Sequence, residues 1–571
     1  MKRIPLSIVF LCLASWLGAQ KLEVKEVWAS GYARSVLYAD EYFNDSASDS
    51  TTAAKLMSGH TLVDLGINIK PSDKVFVQGM LRVRNDHGGF WGSGVTFDVR
   101  NLYLRGLIGN SFRYQLGDIN YKLTPYTLFN SDEELSRYEP KVFQLMREMT
   151  RYDLFYNDDN SWRQQGATGE FGLTFKKYVD GVDFSFFTSR LNSAASTGLL
   201  DRLHSGGSVF VKQSDLLDFR LTYIDAFDIL GTSSATNRYS NPVLTGGIGI
   251  HKQIQDWRLD LETEFGTSQE EKKVGESSAE RQDYFSDIRF KMRYAPYNLS
   301  LSVAYQDVGA GFRSIGAQTK RLNFSNVPLA YQRIGDGQNL RPFGMLDIIR
   351  DASLYNTALS TSLMSYDPAY GNFRPYGAST PNRRNLILSA NWEDKKGMAE
   401  IQVTGISGSE IQGQGTESIK QFNVVDAGMM IHMDKILDMK KEWLFNFGYS
   451  SEKTQRFGEA DYEDIDLSNQ VLSAGMEVEF IKDFQFLAGY RLMVSKGNEY
   501  LARKDLVGEV ITFTPYEVDM QQDMFALGVR YNFSERSLIN FQWTNYSYQD
   551  QLNLNDDHRL TDLSLIYRMN F

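Results

Sequence analysis

Between residues 75 and 84 the side chains alternate in kind. Val75, Val77, Leu81 and Val83 fall on one parity, and Gln78, Arg82 and Arg84 on the other. The same period runs through 299–306, where Leu299, Leu301, Val303 and Tyr305 oppose Ser300, Ser302 and Gln306. It recurs in 525–533, where Phe525, Leu527, Val529, Tyr531 and Phe533 oppose Gly528, Arg530 and Asn532. A period of two belongs to an extended strand, whose successive side chains point to opposite faces. Followed along the chain, this pattern predicts an all-β protein of about 22 strands, within a range of roughly 18 to 24.

The connections between these strands alternate in length. Short ones fall at 71–74, 109–111, 178–181, 254–256, 296–298, 395–397, 482–483 and 534–537. Long ones lie between them, at 41–59, 121–164, 231–241, 268–282, 309–383, 454–467 and 495–516. A soluble sandwich has no reason to sort its loops by parity. A single antiparallel up-and-down transmembrane barrel does, with short turns on one side of the membrane and long loops on the other. In such a barrel the apolar face of each strand meets lipid and the polar face lines the lumen. Trp257 beside a turn and Trp543 near a loop then stand where an indole anchors at the headgroup level.

The two chain ends sharpen this reading. Residues 563–571 alternate strictly, with Leu563, Leu565, Tyr567, Met569 and Phe571 on one face and Ser564, Ile566, Arg568 and Asn570 on the other. This stretch resembles the C-terminal signal of bacterial outer-membrane β-barrel proteins, carried here by Leu565, Tyr567, Met569 and Phe571. The resemblance is to porin-like members of that group. It implies a chain inserted into the outer membrane of a Gram-negative (diderm) bacterium by a barrel-assembly machinery, in contact with lipid and lipopolysaccharide. At the other end Lys2 and Arg3 precede an apolar run over 4–17, followed by Gly18, Ala19 and Gln20. That order reads as a cleavable signal peptide over 1–19, too short to span as a helix. The single cysteine, Cys12, lies inside it, so the exported chain of 20–571 is expected to hold no disulfide.

Composition fits without deciding. Aromatics make up 13% of the chain, with 31 Tyr and 36 Phe, enough for girdles at two interfaces. The net charge is −11, and no basic block points to nucleic acid. His60, His87, His204, His251, His432 and His558 are scattered without metal-ligand spacing, so no metal, cofactor or catalytic residue is expected. Acidic groups at Asp461, Glu463, Asp464 and Asp466, and at Asn555, Asp556 and Asp557, do not follow an EF-hand pattern and read as solvated loop tips.

The candidate chemistry is in the lumen. Arg258, Asp260, Glu262 and Glu264 share the inward parity of one strand, and Arg289, Lys291 and Arg293 that of the next. A mainly acidic column thus faces a basic one, either as simple cross-strand pairing or as a polarised pore wall that orients polar solutes. Arg82, Arg84 and Arg530 are further inward-facing candidates. Alternation begins within a few residues of the cleavage site, which leaves no room for a plug domain before the first strand. Any obstruction must come from the loops at 121–164 and 309–383. The first carries Val142, Leu145, Met146 and Met149 at helical spacing within 133–151, a helix that lies either in the lumen or on the outer rim. Two functions follow: a porin-like channel or facilitated transporter for small polar solutes, or a barrel docking partners in a secretion, assembly or surface complex.

Overall fold

A computed structural model describes residues 26–44, 54–87, 95–129, 138–154, 164–192, 201–229, 238–318, 367–504, 510–553 and 557–571. The expected leader at 1–19 and the Asn555 and Asp556 tip lie outside these residues. The described strands number 22, each antiparallel to the next. The first, β1 (Glu26–Asn44), pairs with the last, β22 (His558–Asn570), and this closes the sheet. The seam matches Leu37 with Leu565 and Ser35 with Tyr567, and is locked by reciprocal backbone bonds between Gly31 and Phe571 of 2.8 and 3.0 Å. The protein is therefore a closed barrel of the outer-membrane kind, with no free sheet edge among the described strands.

Side-chain parity divides the wall into two surfaces. On β20 (Val510–Ser534), Phe525, Val529 and Phe533 are exposed, while Met524, Ala526 and Gly528 are covered from the inside. The outward apolar run from Phe525 to Phe533 spans nine residues, the length a tilted strand needs to cross the hydrocarbon. At the end of the barrel with the tight turns, outward aromatics form chains. Phe112, Phe171 and Phe184 are one; Trp257, Tyr294 and Tyr297 another; Phe484, Tyr531, Phe533 and Tyr567 a third. Rings with an apolar body and a polar edge settle at the headgroup boundary, so these chains mark one membrane interface.

Two expected long loops are strand instead. β11 (Trp257–Val274) and β12 (Ser277–Tyr294) run 18 residues each and meet in a tight turn where Gly275 takes φ +62°, although 268–282 reads as a loop. Likewise β19 (Phe484–Lys504) and β20 extend far into the expected loop 495–516. Above the membrane both faces of a hairpin are in water. Gln269, Glu270, Glu271, Lys272 and Lys273 therefore show no alternation, yet pair in regular register with 278–282.

The helix in the first long loop is present as α1 (Lys141–Leu154), and it lies in the lumen. Its apolar side, Val142, Phe143, Leu145, Met146 and Met149, is fully buried. The loop segment 120–129 and residues 309–318 of the second long loop also turn inward. There Tyr126, Leu128, Phe312 and Ile315 join Phe187, Ile224, Val243 and Phe285 of the wall in a common cluster. The lumen-facing side of the wall thus carries apolar residues among its polar ones where a loop rests on it. Ile566, placed on the polar parity of the last strand, is one such residue and is fully buried.

Candidate functional site in the barrel lumen

The inserted helix crosses the lumen along nearly half of the wall. At its start, the Tyr138 hydroxyl donates to Glu400 of β15 (Ala399–Ser409) at 2.8 Å, and Asn446 of β17 (Trp443–Arg456) donates to the Tyr138 carbonyl at 3.1 Å. Here the wall is made of glycine. A Cβ at Gly428 would overlap the Tyr138 ring, and one at Gly475 or Gly489 would come within 2.6 or 2.7 Å of Pro140. Glycine inside a strand marks such a close approach. Further along, Glu139 accepts from Arg147 at 2.7 Å and from Arg491 of β19 at 2.7 Å, and Arg568 donates to Glu148 at 2.6 Å.

The far end of α1 rests on β2 (Ala54–Ser72), β3 (Val75–Asp86) and β4 (Val95–Ile108). Arg82 grips Asp64 through two bonds of 2.8 and 2.7 Å, and the Tyr152 hydroxyl donates to the same carboxylate. The Arg100 guanidinium lies over the Tyr152 ring, 4.0 Å from its centroid. Arg82 and Arg530 are therefore inward-facing but sit under the helix, where Arg530 reaches the Lys141 carbonyl at 3.5 Å. Arg84 pairs with Asp86 at 2.7 Å.

The opposite side of the lumen is different. The strands β9 (Leu217–Asp228), β10 (Arg238–Ile254), β11 and β12 bring four inward columns together. Across β11 and β12 the register sets Arg258 beside Arg293, Asp260 beside Lys291, Glu262 beside Arg289, and Glu264 beside Asp287. The expected acidic and basic columns are thus direct neighbours, with matched charges in the middle and like charges at the ends. On the other flank, Glu262 faces Gly249, and Gly249 faces Asp218; Glu264 faces Gly247, and Gly247 faces Arg220.

These groups divide into engaged and free. The His251 ring lies between two carboxylates, Asp218 at 2.8 Å and Asp260 at 2.7 Å, and Arg258 adds a 3.2 Å contact to Asp260. Asp287 accepts from Tyr126 and from Gln306, both at 2.8 Å. By contrast, Glu262, Lys291 and Arg293 have no ion-pair partner among the described residues, and Glu262 and Arg293 are exposed to the lumen. Arg289 is 46% exposed, with its nearest carboxylate, Asp287, at 3.5 Å. Arg220 lies over the Phe210 ring, 5.5 Å from its centroid. Asp218, Arg220, His251, Glu262, Asp287 and Arg289, together with Pro125 and Tyr126 of the inserted loop, line a recess of about 300 Å³. Among the described residues no group of three His, Cys, Asp or Glu side chains is placed to hold a metal ion.

Asp218, Arg220, His251 and Tyr126 belong to this recess without having been singled out from the sequence. The alternation of Asp218, Arg220 and Thr222 with Phe219, Leu221 and Tyr223 carries the signal for the first two. Nothing in the sequence brings Tyr126 there, because its position depends on how a long loop folds.

No protein-family model matches the chain. No curated protein matches it either. Among solved structures the barrel is similar to OccAB2 of Acinetobacter baumannii, at 7% identity and a TM-score of 0.38, over 97% of this chain and 100% of that one. It is similar to OccK11 (OpdR) of Pseudomonas aeruginosa, at 9% identity and a TM-score of 0.37, over 96% and 97% of the two chains. A BenF-like porin from Pseudomonas fluorescens Pf-5 matches at 9% identity and a TM-score of 0.34, over 96% and 100%. Likeness at this level says nothing about a solute, so the functional reading rests on the residues of this chain.

Proposed function

We propose that the protein is a porin-like outer-membrane channel for small polar solutes, conducting along the β9–β12 side of the lumen. One observation carries this reading. Inward charges on that side, Arg258, Glu262, Arg289 and Arg293, stay exposed within the barrel, while the opposite side is covered by α1. A barrel filled as a mere scaffold would pair or bury its inward charges, because an unpaired ion out of water is costly. Charges kept wet at a wall orient and sort solutes, as charged rings do in channels.

Purified barrel in a planar bilayer tests the reading. Stable unitary current steps are the expected result. A folded barrel that shows no current and copurifies with another surface protein would favour the docking role instead.

A further inference from the structure

The recess between β9 and β12 is more selective in its chemistry than a generic polar wall. On β10, Gly247 and Gly249 are the inward positions between Thr245 and His251, so the strand forms a short furrow there with no side chains. A Cβ at Gly249 would come within 2.7 Å of the Asp218 carboxylate, so the furrow floor is already at contact distance from its wall. On one bank stands Arg220 of β9, its guanidinium laid on Phe210 and making no hydrogen bond or ion pair among the described residues. On the other stands Glu262 of β11, likewise without an ion-pair partner among the described residues. The two banks are two strand spacings apart, about 9.6 Å.

Three of the other carboxylates at the recess are already engaged. Asp218 and Asp260 are held by His251, and Asp287 by Tyr126 and Gln306. Those contacts leave Arg220 and Glu262 on opposite banks of the glycine furrow, diagonal to each other and one row apart in the register, with the half-buried Glu264 directly across Gly247 from Arg220. Arg289 stands directly beside Glu262 in the register, on the far side of that bank from Arg220, with Asp287 at 3.5 Å. The recess, at about 300 Å³, is at the small end of ligand sites, which run from ~300 to 1,000 Å³.

We infer that this furrow is a binding subsite for small zwitterions, solutes that carry an ammonium and a carboxylate together, such as amino acids and short peptides. The inference rests on the channel reading and names the solute class of that site. Glu262 takes the ammonium, and Arg220 takes the carboxylate. A solute with one charge leaves one bank unmatched, and a neutral one leaves both.

Proteoliposome swelling with glycylglycine and with N-acetylglycinamide, a neutral solute of similar size, separates the possibilities. The wild-type barrel is expected to pass glycylglycine several-fold faster. In Glu262→Gln and in Arg220→Gln the ratio of the two rates falls towards one, whereas Glu276→Gln at the tip of the β11–β12 hairpin keeps the wild-type ratio. Heat-modifiable mobility on SDS gels checks that each variant has folded. Equal rates in the wild type, or a ratio that survives both substitutions, overturn the zwitterion site while leaving the channel intact. If neither solute enters, the channel reading fails and takes this inference with it.

Discussion

Glu139 shows how a single residue fixes a loop inside a barrel. It accepts from Arg147, nearly two turns into α1, and from Arg491 on the wall, so it ties the helix to the strand beneath it. Burial works to raise its carboxyl pKa, but the two guanidinium groups outweigh burial and hold it below the usual carboxylate range. A carboxylate depressed in the folded state contributes its full stabilisation above its ordinary value, and loses it as pH falls through the folded value. Docking of α1 is therefore expected to be insensitive to pH from neutrality down to about 5 and to loosen below the ordinary carboxylate range. Unitary conductance measured across a pH series should stay level and then rise; a profile flat to about pH 2 would rule this contribution out. Glu139→Gln leaves two guanidinium groups facing a neutral amide and should cost about 3–5 kcal/mol in resistance to denaturant. The glycine seat makes a second residue-level prediction. Gly489→Val drives two methyl groups into Val142 and Pro140, an overpacking worth about 1–3 kcal/mol, and should speed proteolysis within 138–154 of the folded barrel. Gly405→Ala, where an added Cβ meets nothing within 4 Å, should leave the cleavage rate unchanged.

At the scale of elements, the helix and the hairpins show which features of a chain can be read locally. Val142, Leu145, Met146 and Met149 announce a helix by their spacing, and the helix forms with those residues inside. Its place in the lumen is not announced, because the partners that bury it lie far along the chain: Leu487, Met493, Met524 and Ala526 of the wall. Those partners also break the rule that inward means polar, so the strands carrying them look less regular than they are. The strands beyond the membrane are hard to read for the opposite reason. With water on both faces of the β11–β12 and β19–β20 hairpins, no burial imposes a period of two. The columns of charge at 258–264 and 289–293 were legible because they lie where one face is apolar. Their pairing was legible only as far as the register; the furrow of Gly247 and Gly249 that separates them from Arg220 was not. If α1 is what narrows the lumen, replacing 139–154 by a flexible Gly-Ser segment should raise the unitary conductance while the barrel remains heat-modifiable. Unchanged conductance in a folded variant would place the constriction elsewhere, in the segments around Tyr126 and Phe312.

The whole molecule depends on a seam between its two ends. A barrel escapes the hazard of unpaired strand edges only when the last strand finds the first. Here β1 and β22 pair from Tyr32 opposite Asn570 to Asn44 opposite His558. Phe571 stands at the end of that seam. Its backbone exchanges two bonds with Gly31, and its ring covers the glycine so closely that a Cβ there would meet the Phe571 Cζ at 2.6 Å. The terminal aromatic thus has a structural task in the finished barrel, separate from any task in delivery. The two are separable by experiment. Phe571→Ala removes the ring and keeps the backbone bonds, so refolding of the purified chain into detergent micelles, without assembly machinery, isolates the structural part. A lowered midpoint of heat-dependent mobility shift is expected, since the seam loses its ring contact. If the variant refolds with the wild-type midpoint in micelles yet fails to accumulate in cellular membranes, the ring acts in recognition and the seam does not need it. Gly31→Ala makes the reciprocal test. It crowds Phe571 and the Asp64 carbonyl without altering the terminal residue, and should lower the midpoint whatever reads the C-terminus.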